Sequence, residues 1–219
     1  MSLPSVKLVD SMGTPLSIVN SARVSFGGRS ETMSERDWKL VRYLLKNDHS
    51  SPFRHVSFQF EISAPVFVLR QWMKHQVGCS WNEISGRYVE FSPTYWEPEI
   101  WRAQASDLKQ GSRGELEDPH LFEIYRSAMS SSWDAYEALL SRGVCREQAR
   151  TVLPLSLMSS CVWSATLQAV VHFLKLRLDH HAQEEIRLLA QGVRLCVESL
   201  SDDFEKLLSI MLDEALHED

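Results

Sequence analysis

Residues 55–62, HVSFQFEI, alternate without a break: Val56, Phe58, Phe60 and Ile62 fall on one side of an extended chain, and His55, Ser57, Gln59 and Glu61 on the other. A period of two with one apolar side predicts a half-buried strand. Pro65 then suits the first position of a helix predicted over 65–76, where its fixed φ and missing N–H cost nothing. Upstream, Ser34-Glu-Arg-Asp37 reads as a capping-box start, followed by Trp38, Val41, Leu44 and Leu45 at helical spacing. Downstream, residues 82–90 (NEISGRYVE) alternate again and read as a short strand with Glu83, Ser85 and Arg87 on one face. The polar stretch 102–118, with Gly111 and Gly114, is expected to be a mobile loop. Helices are predicted at 120–142, 146–153, 160–177 and 179–199, with a last one from near Ser201. Two strands among helices, followed by a helical half, argue an α+β fold: a mixed sheet with helices packed on it, in a single domain over residues 1–219.

Composition narrows the function classes. A chain of 219 residues, 44% hydrophobic and 24% charged, can bury a full core, which excludes disorder as its main state. No apolar run reaches the roughly 18 residues of a membrane span. The start, MSLPSV, has neither the basic region nor the apolar stretch of a signal peptide. Cys79, Cys145, Cys161 and Cys196 show no CxxC spacing, so a reduced cytoplasmic protein without structural zinc is expected. The net charge of −6 is unevenly spread. Residues 198–219, predicted as an acidic C-terminal helix, hold eight acids against one base, Lys206, and residues 1–197 carry only +1. A near-neutral body speaks against nucleic acid as partner and leaves room for a small phosphate-bearing ligand held by a few arginines.

The richest window for chemistry is 70–88, RQWMKHQVGCSWNEISGRY. Arg70 and Lys74 share one helix face, as do Gln71 and His75. Beyond the Gly78 turn, a hydroxyl (Ser85) beside a guanidinium (Arg87) is one way to clasp a phosphate, since arginine offers paired donors. The plain alternative is a solvated strand face with a Glu83–Arg87 salt bridge. Arg146 and Arg150 are four apart before Pro154 and read either as surface charge or as anion ligands. Arg177 follows a largely apolar helix, which suits a buried pair or a ligand better than open surface, and Asp179 is placed to cap the next helix. His181 and Glu185 have a spacing that a metal site uses, but no third ligand is near and no metal is expected. Cys79 reads as a packing residue or, with Lys74 and His75 beside it, as a reactive thiol. GxSxG, Walker A and GxGxxG patterns are absent, so hydrolase, P-loop and Rossmann readings have no motif behind them.

These windows, taken in order, resemble the flavin-dependent thymidylate synthases. The matching pieces are R70-Q-W, H75, S80-W-N-E-I-S-G-R-Y88, R150-T-V-L-P-L155 and L176-R-L-D-H-H-A-Q183, with A22-R-V-S-F26 and H49-S-S-P-F53 nearer the N-terminus. The resemblance implies a homotetramer with active sites at subunit interfaces, FAD, a uridine monophosphate substrate, methylenetetrahydrofolate as carbon donor and NADPH as reductant. It implies no cysteine nucleophile. The reaction it implies is reductive C5-methylation, most simply of dUMP to dTMP. A relative that methylates UMP, or both nucleotides, for modified-nucleoside synthesis is the alternative, and a homologue that binds flavin or nucleotide without catalysis is a third reading.

Carried over by motif position, Ser85 and Arg87 resemble nucleotide phosphate ligands, with Arg150 joining them from another subunit, and Gly86 resembles a further substrate contact. Gln71 and Glu83 resemble sugar-side contacts. Arg177 resembles the residue that orients the pyrimidine, where a positive group beside the uracil carbonyls stabilises charge developing as C5 attacks. Arg177 and Ser85 are thus the expected catalytic residues, Ser85 as a ligand and not a nucleophile. The flavin contacts implied are Ser25, His49, Ser51, Lys74, His75, Gln76, Asn82, Glu83, His172 and His181. Three departures stand out. The hallmark Arg-His-Arg of the family is here Lys74-His75-Gln76. One extra residue lies between His75 and Ser85, at Gly78-Cys79. Two positions usually asparagine near the flavin are Thr166 and His172.

Overall fold

The computed structural model describes residues 3–105 and 111–213. The chain opens on a strand that its sequence pattern does not announce, β1 (Ser5–Met12), followed by α1 (Pro15–Arg23) and α2 (Glu35–Lys46). The α2 start is the predicted capping box: the Asp37 carboxylate accepts from Ser34 N at 2.9 Å, and Trp38, Val41 and Leu44 face inward. Asp37 is also tied to Arg23 at 2.6 Å, which links α1 to α2 through a buried ion pair.

The alternating stretch is β2 (Ser57–Pro65), displaced by a few residues from 55–62 because His55 closes a 3-10 turn, Ser51–His55. Phe58, Phe60, Ile62 and Ala64 are its buried side. Pro65 ends the strand, and α3 (Val66–Trp72) is shorter than predicted. Next come β3 (Cys79–Glu83), the short strands β4 (Arg102–Gln104) and β5 (Ser112–Glu115), α4 (His120–Ser141) and α5 (Arg146–Ala149). The chain closes with β6 (Met158–Thr166), α6 (Leu167–Arg177), α7 (Glu184–Glu198) and α8 (Asp202–Leu212). One sheet has the order β1-β2-β6-β3, and β4 and β5 form a separate antiparallel pair.

Three expectations are corrected. The strand predicted at 82–90 is β3, ending at Glu83, after which the chain turns at Ser85–Tyr88. The helix predicted from 160 begins at 167. Residues 158–166 are a strand whose alternation (Cys161, Trp163 and Ala165 buried) is masked in sequence by Val162 on the outer side. The loop expected at 102–118 contains the β4–β5 pair, while 106–110 lie outside the described residues. The acidic end is helical in α8, where Ser201 accepts from Phe204 N at 3.3 Å, and 214–219 again lie outside the described residues.

Two compact units are distinguished, taking the described residues of each. One comprises Met1–Pro4, Ser63–Gln71 and Glu83–Cys161, the other Ser5–Ile62, Trp72–Asn82 and Val162–Asp219. In the first, Trp101 packs on Phe122 and Tyr125 of α4, and Glu97 takes Arg126 in a two-pronged bond of 2.6 and 2.9 Å. In the second, Gly192 of α7 lies against Val6 of β1, and Phe58 meets Phe204 of α8 at 5.8 Å. Its centre is aromatic: Trp72 stacks on Phe173 at 4.5 Å, and Trp163 stacks on Phe60 and Trp81, both at 5.4 Å. Phe173 is fully buried. Phe173→Ala is therefore expected to cost about 3–5 kcal/mol in urea unfolding, and a loss under about 1 kcal/mol contradicts this packing.

Candidate active site

In the second unit the aromatic stack sets a polar pair. After Trp72 the chain turns back, with His75 N donating to the Trp72 carbonyl at 2.9 Å. Gly78 takes φ +73°, and its carbonyl accepts Thr166 N at 3.0 Å. A Cβ on Gly78 would lie 2.8 Å from Thr166 Oγ1, so glycine is required there both by conformation and by space. Thr166 also begins α6, accepting from Ala169 N at 3.3 Å. The turn delivers the His75 ring against Phe173, with centroids 5.2 Å apart, and beside His172 at 5.7 Å. Arg177, at the end of α6, donates its Nε–H to His75 Nε2 at 3.1 Å.

That bond assigns the ring's state. Nε2 accepts only if the imidazole is neutral with its proton on Nδ1. Burial, reinforced by Arg177 and His172, holds the His75 pKa down to about 4. Burial also lowers the pKa of Arg177. The result is a half-buried guanidinium whose partner steers it without neutralising it. Cys79 is no thiolate: burial raises its pKa, against an opposing contribution from Trp163.

In the first unit, Glu83 accepts from Ser159 Oγ at 2.6 Å, and Ser159 is only 4% exposed. Ile84 N bonds the Ser160 carbonyl at 2.9 Å before the chain leaves the sheet. The Ser85 carbonyl then accepts from Tyr88 N and Val89 N, at 3.0 and 3.1 Å, while Ser85 Oγ accepts from Arg87 N at 3.3 Å. Gly86 is buried against the Phe91 ring, which leaves no room for a side chain. Ser85 and Arg87 therefore sit on a turn and not on a strand face. Arg87 Nε faces Glu147, not Glu83, at 3.5 Å, and Arg146 pairs with Glu90 at 3.0 Å. These two ion pairs border a cavity of about 470 Å³ lined also by Tyr88, Leu140, Val144 and Cys145.

The remaining predicted residues divide between the units. Gln71, Gly86 and Arg150 belong to the first, with Arg150 exposed in the 3-10 turn that follows α5. Ser25, His49, Ser51, Lys74, Gln76, Asn82, His172 and His181 belong to the second and are exposed, unlike His75. His172 borders a cavity of about 320 Å³ with Asp48, Ser50, Gln168 and Lys175 among its walls. Asp179 caps the turn before α7, not the helix, taking His181 N at 2.7 Å and His181 Nδ1 at 3.0 Å. His181 precedes the helix, so its expected i,i+4 relation to Glu185 on one helix does not form. Ser159, Glu147 and Glu90 were not predicted. No spacing rule links Ser159 to Glu83, since their bond crosses between strands 76 residues apart.

The profile of a family described as Thymidylate synthase complementing protein matches residues 7–200. The chain is 46% identical over 188 residues to the flavin-dependent thymidylate synthase of Thermus thermophilus, covering 86% of this chain and 69% of that one. It is 41% identical over 192 residues to the one of Kosmotoga olearia, covering 86% and 82%. Its fold is similar to the UMP/dUMP methylase PolB from Streptomyces cacaoi bound with 5-Br dUMP, at a TM-score of 0.85 and 30% identity over 95% of each chain. The same enzyme bound with 5-Br UMP gives a TM-score of 0.84 at 30% identity over 96% of each.

The His75 geometry has a consequence for stability. The ring titrates near 4 in the folded protein against 6.5 ordinarily, so the unfolded chain takes up this proton first. Stability that is whole above pH 6.5 is therefore lost as the pH falls from 6.5 toward about 4. Tm should drop over that window, and His75→Leu, with nothing to protonate, should flatten the drop. Equal slopes in both proteins contradict a buried neutral imidazole.

Proposed function

The chain belongs to the flavin-dependent thymidylate synthase family, and from that premise we propose that it catalyses FAD-dependent reductive C5-methylation of a uridine 5′-monophosphate, most simply dUMP to dTMP. The observation that carries the reading is the 46% identity over 188 residues to a flavin-dependent thymidylate synthase. Methylenetetrahydrofolate is the proposed carbon donor and NADPH the reductant. A homotetramer with active sites at subunit interfaces goes with this reading, and Arg150 would come from a neighbouring subunit. Phe26 and Val77, 90% and 92% exposed, are large apolar side chains of the kind that an interface covers. The cytoplasm is the proposed setting, which four free thiols suit. Among the described residues no helix is long and apolar enough to cross a membrane.

The donor chemistry of the second unit fits a flavin dinucleotide. The hydroxyls of Ser25 and Ser51, the cation of Lys74 and the imidazoles of His49 and His181 are exposed, as binding a pyrophosphate requires. Neutral His75 carries an Nδ1–H, a donor suited to a ring acceptor. Bound FAD would supply the reducing equivalents. The protein's own part is electrostatic and positional. Arg177 would place positive charge beside the uracil carbonyls, where negative charge builds as C5 attacks. Ser85 and Arg87 would hold the phosphate through hydroxyl and guanidinium. Glu83, held through one oxygen by Ser159, would offer the other to the sugar.

A second reading is favoured by the likeness to a UMP/dUMP methylase over 95% of the chain: UMP, alone or with dUMP, is the substrate. Turnover of the two nucleotides side by side decides between them, and no methylation of UMP removes this second reading. On either one, Arg177→Ala should lower kcat/KM about 10²–10³-fold. Ser85→Ala should raise the nucleotide KM about tenfold with residual turnover. Cys79→Ser should keep substantial activity. Abolished chemistry in a folded, flavin-loaded Cys79→Ser protein would restore a thiol mechanism.

A further inference from the structure

We propose that His75 is a positioning residue for Arg177: the Nε–H···Nε2 bond fixes the plane of the guanidinium while leaving its charge intact for the bound pyrimidine. The inference rests on the methylase reading, in which Arg177 faces the uracil.

Its physical basis is the kind of partner. Arginine has five N–H donors in one plane. His75 takes the Nε donor at 3.1 Å, which leaves the Nη donors in the same plane, suited to the carbonyls of a flat ring. A carboxylate in the same place would orient the arginine equally well but would cancel its charge. A neutral imidazole orients without cancelling. The ring is itself held: it is 8% exposed, Phe173 meets it edge-on at 5.2 Å, and its main-chain carbonyl accepts from Trp81 Nε1 at 3.5 Å. Among the described residues, the charged or titratable groups acting on it are Arg177 and His172, both from α6, and both disfavour its protonation. Protonation would turn Nε2 from acceptor to donor and set it against a cation, so the bond survives at neutral pH and breaks only in acid.

The test uses the flavin-loaded enzyme with four variants: H75L, H75Q, R177A and the double H75L/R177A. H75L should lower kcat/KM for dUMP about 10- to 100-fold, the range for losing a hydrogen bond to a charged group. H75Q, whose Oε1 can accept near the Nε2 position, should recover at least tenfold over H75L. The double variant should be no worse than R177A, because both changes remove one unit. Because His75 is also a proposed flavin contact, the flavin Kd of each variant is read from quenching of flavin fluorescence and kcat/KM is measured at saturating flavin. Additive losses in the double variant at saturating flavin, or no recovery in H75Q, each overturn the proposal. The ring state is readable without turnover, from ¹⁵N shifts of labelled histidine. A neutral Nδ1–H ring at pH 6 supports the coupling, and an Nε2–H or protonated ring overturns it. If that ring state holds but neither UMP nor dUMP is methylated, the methylase reading fails while the coupling stands.

Discussion

The face-to-face stack of Trp72 on Phe173, 4.5 Å between centroids, is the constraint from which the second unit's chemistry follows. It locks the start of the 73–78 turn onto the middle of α6. Once the two rings are fixed, the length of the turn and the pitch of the helix decide what meets. Three residues beyond Trp72 the chain presents His75, and four residues beyond Phe173, about one helical turn, α6 presents Arg177. The bond between them is a consequence of packing that is largely aromatic. Such a pair tolerates little slack, because cores respond to small volume changes by repacking and not by smooth deformation.

Two arginines in this chain are held in opposite ways, and the difference is electrostatic. Arg87 faces a carboxylate across 3.5 Å with both partners more than half exposed, an arrangement worth little in water and easily exchanged for another anion. A phosphate arriving there competes against a weak, solvated tie. Arg177 is partly desolvated, and its partner is uncharged. Its charge is therefore less screened and more valuable to whatever carries negative charge beside it. A phosphate dianion needs only capture; a transition state needs charge already aimed before the charge develops. The exposed pair suits the first task and the buried one the second.

What was legible in the sequence tracks what is local. The capping box at Ser34, the strand around Phe58 and Phe60, and α4 are written in short-range pattern, and their ends fall within a few residues of those predicted. The strand Met158–Thr166 was not legible, because Val162 on its outer side breaks the alternation and the apolar run of α6 follows without a break, so the two merge into one apparent helix. The substrate-side turn was misread because period two was counted through Gly86, where Phe91 occupies the space of a side chain and the chain must bend. Among the site residues, motif position marked His75, and motif position together with the apolar helix before it marked Arg177. Their partnership, 102 residues apart, and that of Glu83 with Ser159 are tertiary facts that no spacing encodes.

The expected departure at Lys74-His75-Gln76 is intelligible on the same grounds. Lys74 and Gln76 are exposed, so a change of side chain there disturbs no packing and leaves no buried donor without an acceptor. The middle residue is buried between Phe173 and the Arg177 guanidinium, where a change of size or hydrogen-bonding sense would be paid in both packing and polarity. The outer positions can therefore differ at a cost confined to whatever binds on that surface, whereas the central histidine is fixed by the fold itself. Gly78 obeys the same logic from the other side: its φ of +73° and the 2.8 Å approach of Thr166 Oγ1 to a Cβ there restrict the loop to glycine at that point. The turn closes on Thr166, which keeps His75 against α6.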